Sequence, residues 1–179
     1  MNQTVENTVE TAAHTGERQI VALHLGDEVY GVDIAIIHTV ITPQAITSVP
    51  KTPKFVKGVM NLRGKILPVI DLRARFELPE LAEDKSSSVR IVIVDTEGLT
   101  AGLIVDAVSE VLRLPESSIE PPSGLIVSKG SEFITGIGRI PKEASAEGKE
   151  QLILLLDVVK TLTETSQELE KLKKISNAA

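Results

Sequence analysis

Few residues of this chain have the type and spacing that acid–base or metal chemistry requires. The three histidines, His14, His24 and His38, are predicted to lie in a polar tail, a strand and a helical turn, and their spacing shows no metal-ligand pattern. Cysteine is absent, which excludes disulfides and thiolate zinc sites. We therefore predict no metal site and no cofactor.

Nucleophiles and phosphate-binding loops are missing as patterns too. The serines fall mainly at 86–88 and 117–118, without a Gly-x-Ser-x-Gly turn, and no glycine-rich loop ends in Lys-Ser or Lys-Thr. The lone Gly136-Ile137-Gly138 lies inside a strand pattern, where a bulge or close packing explains the glycines better than a phosphate does. The sequence predicts neither a hydrolase nor a nucleotide-binding protein.

Four aspartates stand at the ends of apolar runs, namely Asp33, Asp71, Asp106 and Asp157. Aspartate is a frequent helix cap and turn residue, because its carboxylate accepts hydrogen bonds from nearby backbone N–H groups. No nucleophile, base or cofactor loop accompanies these carboxylates. We therefore predict caps and turns at these positions, no catalytic residue and no enzymatic activity.

The charge balance and the scarcity of rings argue against nucleic acid as a partner. A nucleic-acid groove needs a basic track and usually rings on which bases stack, whereas this chain has 19 basic and 25 acidic residues and only four aromatic ones. No apolar run approaches the ~18 residues of a membrane span. The polar residues 1–17 lack the basic and apolar regions of a signal peptide, so we expect a disordered tail there and a cytoplasmic protein.

The apolar residues favour strands. The chain has 19 Val, 18 Ile and 19 Leu, so most of its core is β-branched. Apolar runs separated by glycine-containing turns predict hairpins. We predict strands or hairpins over 19–34, 45–49, 55–70 with Arg63-Gly64 at the tip, 90–105, 108–114, 133–140 and 151–156, and one or two helical turns leading into a strand over 34–41. Asp71 is predicted to cap a short helix, and Asp157 a final helix that reaches about Ile175.

The two halves of the chain repeat the same order of elements. The matched positions are 31–32 with 102–103, 40–41 with 111–112, 46 with 119, and 57–59 with 135–137. Each half then ends in an apolar run, an aspartate and a short helix, PVIDLRARF in the first and LLLDVVKTL in the second. This repeat predicts two halves of about five strands, each closed by a helix.

Four parts of the chain carry a more specific pattern. They are LGDEVYGVDI at 25–34, ITSVPKTPKFVKGVMNLRGKILPVIDLRARF at 46–76, AGLIVDAVSEVLRLPESSIEP at 101–121, and the FITGIGRI and LILLLDVVKTL segments near the end. From about Glu17 to Leu162 the chain resembles the CheW family of bacterial chemotaxis coupling proteins. FVKGVMNLRG followed by PVIDLR is the long and specific part of the resemblance.

The resemblance implies a fold and a function. The fold is mainly β, with two five-stranded SH3-like β-barrel lobes, short helices and a C-terminal helix. The lobes are intertwined in one domain over residues 18–160, and residues 161–179 extend it as a helix that frays at its end. The function is that of a non-enzymatic adaptor, which couples the cytoplasmic tips of methyl-accepting chemoreceptors to the regulatory domain of the histidine kinase CheA in signalling arrays. Nucleic acid and direct membrane insertion play no part.

The family's receptor-contacting positions form a groove between the lobes, and local motifs carry them onto Ile37, Thr39, Gly58, Arg63, Arg90 and Val111. A guanidinium on a rigid hairpin tip can bind a receptor carboxylate through two hydrogen bonds, which favours Arg63. Gly58 would let a helix approach closely. Ile37 and Val111 are equally well explained as core residues. The family often carries glutamate where this chain has Thr39, so an acidic contact is absent or replaced there.

Some alternatives stay open. A regulatory fragment of the kinase, or an adaptor fused to a receiver domain, shares the resemblance, although no phosphorylatable histidine domain, ATP-binding box or receiver pocket accompanies it. A small ligand-binding β-barrel is the rival from another class, but aliphatic residues are expected to fill such small lobes. In the extension, Leu162, Leu169 and Leu172 share one helical face, which favours a helix packed on the first lobe over a separate partner-binding helix.

Overall fold

The computed structural model describes residues 16–96, 98–122, 130–145 and 147–177. This part of the chain has ten strands and two α-helices, which are β1 (Glu17–Leu25), β2 (Glu28–Asp33), β3 (Ile37–Ile41), β4 (Val56–Leu62), β5 (Lys65–Asp71), α1 (Leu72–Arg75), β6 (Arg90–Thr96), β7 (Leu99–Val105), β8 (Ala107–Pro115), β9 (Ile134–Ile140), β10 (Gln151–Leu156) and α2 (Val158–Asn177). Short 3-10 helices lie at Ile34–Ile36, Glu83–Ser88, Glu116–Ser118 and Ser131–Phe133. Most of the predicted tail, residues 1–15, lies outside the described residues.

The strands form two five-stranded sheets. Sheet A has the order β8-β1-β2-β10-β9, and sheet B has the order β3-β6-β7-β5-β4. The β2–β10 and β5–β7 pairs are parallel, and the other pairs are antiparallel. Each sheet therefore combines the first hairpin of one half of the sequence, β1–β2 or β6–β7, with the last three strands of the other half.

The predicted repeat is present in this topology, but its halves do not fold as separate lobes. Shifting every strand number by five converts the order of sheet B into the order of sheet A. Even the isolated bridges correspond, because Thr47 pairs with Val59 as Glu120 pairs with Ile137. The two halves thus exchange hairpins, and the two sheets are intertwined.

Strands buried on both faces explain the β-branched composition. A central cluster of apolar side chains lies between the sheets, and a smaller cluster belongs to each sheet alone. In β1, Ile20 and Ala22 face the cluster of sheet A, while Val21, Leu23 and Leu25 face the central cluster. A strand covered on both faces reads as a continuous apolar run. The dense Val, Ile and Leu content is the result.

The four aromatic residues, Tyr30, Phe55, Phe76 and Phe133, all belong to the central cluster. The ring of Phe76 stacks on Tyr30 with 5.4 Å between centroids and lies 6.1 Å from the ring of Phe133. The clusters of the individual sheets consist of aliphatic residues and Met60. Aliphatic side chains fill the lobes, as predicted, and the rings join the two sheets.

Three of the four aspartates are the caps that the sequence predicts. Asp33, Asp71 and Asp157 each accept a hydrogen bond from a backbone N–H in the first turn of the helix that follows, at 3.0, 2.9 and 2.8 Å. These bonds satisfy N–H groups that have no partner within the helix. Leu72 follows Asp71 and Val158 follows Asp157. Both side chains are buried, and each fixes the start of its helix.

Asp106 differs from the others, because its carboxylate belongs to a buried ion pair. It lies between β7 and β8, where the chain passes from sheet B to sheet A. Its carboxylate accepts a hydrogen bond from the N–H of Gly26 at 2.7 Å and pairs with the guanidinium of Arg73. The Arg73 side chain also donates to the carbonyl of Pro79 at 2.8 Å. This cluster ties the β1–β2 turn to helix α1.

The predicted strand over Ala45–Val49 is wrong. Thr47 alone pairs there, through its isolated bridge to Val59. Pro43 and Pro50 flank the segment, and proline has no N–H to donate to a ladder. An apolar pattern of five residues between two prolines is therefore too short to extend the sheet.

Helix α2 packs on the central cluster that both sheets share, rather than on the first lobe alone. Val158 and Leu162 belong to that cluster. Thr161 and Thr165 are also buried, and their hydroxyls donate to carbonyls one turn earlier in the chain. The side chains of Leu169 and Leu172 lie outside the described residues.

Candidate binding surfaces

The tip of the β4–β5 hairpin is a two-residue turn that holds Arg63 in place. Arg63 has φ 51° and Gly64 has φ 85°, the left-handed pair that a tight hairpin turn requires. Asn61 accepts a hydrogen bond from the N–H of Gly64 at 2.8 Å and closes the turn. The Arg63 side chain is exposed and makes no ion pair with any described residue. A fixed backbone therefore presents an available guanidinium.

A surface hollow of about 380 Å³, here called the Arg63 hollow, lies beside this tip. Edge strand β3 supplies Thr39, the hairpin supplies Arg63 and Lys65, and the neighbouring strands supply Asp95 and Thr100. Lys65 Nζ donates to Thr100 Oγ1 at 2.9 Å, and that hydroxyl lies 3.2 Å from Asp95 Oδ1. The polar wall is thus ordered by its own bonds, and Arg63 takes no part in them.

Gly58 has a reason to be glycine within the fold itself. Its φ is 142°, and an added Cβ would overlap the carbonyl oxygen of Thr47. The two backbones come this close because Thr47 and Val59 form a bridge, with N···O distances of 2.8 and 2.9 Å. The close approach that glycine permits is therefore to the chain's own loop, and a receptor contact at Gly58 stays a prediction.

The other predicted receptor-contacting residues are spread over both sheets. Ile37 is half-buried in β3 and packs against the central cluster. Arg90 begins β6, where its guanidinium donates to the carbonyls of Ser87 at 3.1 Å and Val89 at 2.8 Å. Val111 lies in β8 of sheet A and is 52% exposed, so it is not a core residue. The structure brings Thr39 and Arg63 into one hollow, and Val111 lines another.

That second hollow, here called the Glu110 hollow, has about 600 Å³ and is the repeat counterpart of the first. In the repeat Glu110 stands where Thr39 does, and Pro141 stands where Arg63 does. Its charged residues are Glu17, Glu110, Arg113 and Glu143. One sheet thus presents a basic hairpin tip, and the other presents a mainly acidic wall. The sequence prediction missed this surface, although the repeat it identified contained the signal.

Exposed aliphatic residues also occur in matched pairs. Val40 and Val111 are counterparts on the edge strands, and they are 38% and 52% exposed. Ile66 and Leu152 are counterparts on β5 and β10, and they are 61% and 56% exposed. Apolar side chains that stay in water next to polar residues are typical of protein-binding surfaces. Each sheet therefore has exposed apolar side chains on an edge strand and on a hairpin strand.

Among the described residues, Tyr30 is the one titratable group with a clearly perturbed pKa. Burial raises its pKa above the usual 10.0, and a hydrogen bond from its hydroxyl to Glu28 Oε2 at 2.6 Å adds to the rise. The ring is stacked in the central cluster, away from both hollows. Tyr30 therefore stays neutral and structural.

The fold and these surfaces define a binding protein built on two intertwined sheets. Among the described residues, no group of three or more acidic or histidine side chains could hold a metal ion. Nor does any described helix have the length and apolarity to cross a membrane. Lys65, Asp95 and Thr100 form hydrogen bonds with one another at the surface and line the Arg63 hollow.

Comparison with known proteins places this architecture in a family. The CheW-like domain model matches residues 19–166. The chemotaxis protein CheW of Klebsiella aerogenes is 32% identical over 152 residues, which cover 85% of this chain and 86% of the relative. CheW of Treponema pallidum is 31% identical, with 92% of each chain covered. The crystal structure of the scaffolding protein TtCheW from Thermoanaerobacter tengcongensis superposes with a TM-score of 0.70 at 39% identity, covering 82% of this chain and 88% of that one.

The chain belongs to the CheW family of chemotaxis scaffolding proteins. Its work is coupling by binding, and it is not an enzyme. The expected fold class is confirmed as well, since two five-stranded sheets, short helices and a C-terminal helix are present.

Proposed function

We propose that this protein couples the cytoplasmic tips of methyl-accepting chemoreceptors to the histidine kinase CheA, and that it does so in the cytoplasm. The receptor contacts are Ile37, Thr39, Gly58, Arg63, Arg90 and Val111. The regulatory domain of the kinase, which has the same fold in this family, is the second partner. Membership of a scaffolding family supports the proposal at the level of function.

The observation that carries the receptor contact is the state of Arg63. Its backbone is fixed by a closed turn, and its guanidinium is exposed without an ion-pair partner among the described residues. An arginine that is positioned in advance loses little conformational freedom when it forms a bidentate pair with a carboxylate. A receptor tip made of two helices presents carboxylates at helical spacing, which suits a cation beside a hollow.

Thr39 shapes what the hollow accepts. A glutamate at this position would place a carboxylate in the hollow with Arg63 and compete with a receptor carboxylate for the guanidinium. Threonine leaves Arg63 and Lys65 as the cations of the hollow, with Asp95 held through the hydroxyl of Thr100. We therefore propose that this chain favours receptors whose contacting side chains there are acidic.

The ligand-binding barrel is disfavoured by the contents of the lobes. The cluster inside sheet A is aliphatic, and none of its members exposes more than 8% of its surface. The cluster inside sheet B is aliphatic apart from Met60, and its members expose at most 2%. Interiors of this kind close-pack and leave no polar group to orient a small ligand.

Calorimetric titration of the full chain tests the proposal. One titration uses the isolated regulatory domain of CheA, and the other uses a helical-hairpin fragment of a receptor tip. We expect heat and a saturable isotherm with each. A chain that gives no binding to the kinase domain, while its thermal unfolding shows it to be folded, would contradict the proposed function.

A further inference from the structure

Helix α2 is attached to the rest of the molecule in two different ways along its length. Near its start the helix packs on the central cluster through two apolar side chains one turn apart, Val158 and Leu162. Beyond Leu162 the next buried side chain is Thr165, whose hydroxyl donates to the carbonyl of Thr161 in the same helix at 2.7 Å. Such a hydroxyl is satisfied within its helix and contributes little attraction to the sheets. Residues 163–168, here called the outer part of α2, have no apolar side chain and are held by contacts of another kind.

Arg75 at the end of α1 supplies contacts of the required kind. Its guanidinium lies 3.7 Å from Glu164 and 3.4 Å from Glu168, one turn apart on the same face of α2. The arginine side chain is 12% exposed, whereas the two glutamates are 38% and 42% exposed. The guanidinium of Arg75 is thus buried beneath helix α2, and the carboxylates of Glu164 and Glu168 lie between it and solvent.

The same guanidinium is held between two aromatic rings. Its Cζ lies 4.4 Å from the centroid of Phe55 and 4.8 Å from that of Phe133. These phenylalanines are repeat counterparts. The backbone carbonyl of Phe55 accepts a hydrogen bond from the N–H of Asp71, and that of Phe133 accepts one from the N–H of Asp157, both at 2.7 Å. Phe55 leads into β4 of sheet B and Phe133 into β9 of sheet A, so Arg75 lies at the seam between the sheets.

The repeat gives Arg75 no counterpart of its own kind. Four residues after Asp71 stands Arg75, and four residues after Asp157 stands the buried Thr161. Nε of Arg75 is buried and has no hydrogen-bond partner among the described residues. A buried donor without an acceptor is a cost that the ring and carboxylate contacts must offset. Arg75 is therefore present in one half of the repeat only, and its net attraction to helix α2 is moderate.

We propose that Arg75 is a latch that fastens the C-terminal helix across the seam between the two sheets, and that the outer part of α2 can detach from it while both sheets stay folded. Detachment frees a cation between two rings at the seam and uncovers the adjacent end of the central cluster. The latch responds to ionic strength, because its glutamates are accessible to solvent and their attraction to Arg75 is screened by salt.

Amide hydrogen exchange of the full chain, read by peptide mass spectrometry, tests the latch. In Arg75→Gln we expect the amides of 163–170 to exchange about tenfold faster, the loss expected for one charge-assisted contact with its ring stacking. Amides of β1 and β6 should keep their protection. Arg139→Gln is the matched control, because Arg139 also pairs with two glutamates, at 3.5 Å each, but on the exposed face of β9.

A second variant keeps the test decisive if Arg75→Gln fails to fold. The double change Glu164→Gln with Glu168→Gln leaves Arg75 between its rings and removes the carboxylates alone. It should raise exchange in the same segment, and it should abolish the acceleration that added sodium chloride produces in the native chain. Unchanged exchange in 163–170, an equal acceleration in β1 and β6, or a salt response retained in the double variant would overturn the proposal.

Discussion

The Arg63 hollow and the Glu110 hollow occupy matching places in two sheets of the same topology, yet they carry different chemistry. A closed two-residue turn fixes Arg63 beside the first hollow, whereas a longer loop that begins at Pro141 borders the second. The first hollow has Arg63, Lys65 and Asp95, and the second has three glutamates and one arginine. The repeat preserves the backbone that builds a hollow, and the side chains at the rim then give the two hollows a different balance of charge.

The difference also extends to what holds each half together. Gly58 and Gly136 meet different neighbours, and Arg73 and Arg75 have Val159 and Thr161 at their counterpart positions. Substitutions at counterpart positions, one in each half, therefore separate the effects of the shared fold from the effects of one half alone. The largest difference in the free energy of unfolding is expected where the backbone itself is strained.

Gly58→Ala should destabilise the protein far more than its counterpart Gly136→Ala. An added Cβ at Gly58 overlaps the backbone oxygen of Thr47 at positive φ, whereas at Gly136 the overlap is milder, with the Ile119 side chain at 2.9 Å and the Glu120 carbonyl oxygen at 3.2 Å. We expect losses in the free energy of unfolding of about 4 kcal/mol and about 1 kcal/mol. Urea unfolding measures both, and equal losses would show that the Thr47 bridge adjusts freely.

Arg73→Ala should cost about 3 kcal/mol, because it leaves the buried carboxylate of Asp106 without its cation. The counterpart position holds Val159, which is 53% exposed. Val159→Ala should change the free energy of unfolding by less than about 0.5 kcal/mol. Comparable losses for the two variants, measured by the same urea method, would mean that the ion pair at Asp106 contributes no net stability.

Tyr30 should stay protonated in the folded protein at a pH where an unfolded chain ionises. Its counterpart in the second half is Ala101, so no second ring titrates at the matching place, and Tyr30 is the only tyrosine of the chain. Because the folded pKa is raised above 10.0, the contribution to stability is complete below that pH and is lost as pH rises further.

The near-ultraviolet absorbance of tyrosinate reports this one side chain. At about pH 10.5 we expect the folded protein to show little tyrosinate and the urea-unfolded chain to show a majority. In Tyr30→Phe the alkaline loss of stability should shrink relative to the native chain. Matching titrations of the folded and unfolded chains would exclude the burial and the Glu28 hydrogen bond as causes.

The smallest effect is expected from removing residues 1–15. The predicted tail has no periodic apolar pattern, and β1 begins at Glu17, so the deletion should leave the affinity for the kinase domain within about twofold. A larger loss in calorimetric titration would show that the tail takes part in binding.

Local features of this fold were predictable from sequence, and non-local pairings were not. The Arg63-Gly64 turn and the caps at Asp71 and Asp157 depend on residues within four positions of one another, and all are present. The exchange of hairpins rests on the parallel pairs β2–β10 and β5–β7, which join distant segments and leave no local pattern. A repeat reveals that two halves are alike, but it does not say which half each strand will join.

The candidate site shows the same division. Arg63 and Thr39 were expected at a binding surface, and they line one hollow. The family resemblance supplied these positions, since exposure at a hairpin tip alone does not distinguish a contact from a solvated turn. The pairing of Arg73 with Asp106 and of Arg75 with the helix α2 glutamates depends on tertiary packing, so sequence patterns gave no sign of either.

Affinity for a receptor tip, measured for Arg63→Glu against Arg139→Glu, tests the central claim most directly. Both arginines lie on hairpins of counterpart strands β4 and β9, and only Arg139 has carboxylate partners in the part of the chain that the structure describes. The account predicts that Arg63→Glu weakens binding about thirtyfold or more with the thermal midpoint nearly unchanged, and that Arg139→Glu has little effect. Equal affinities for the two folded variants, or a large fall in the midpoint of Arg63→Glu, would contradict the role of Arg63 as the receptor contact.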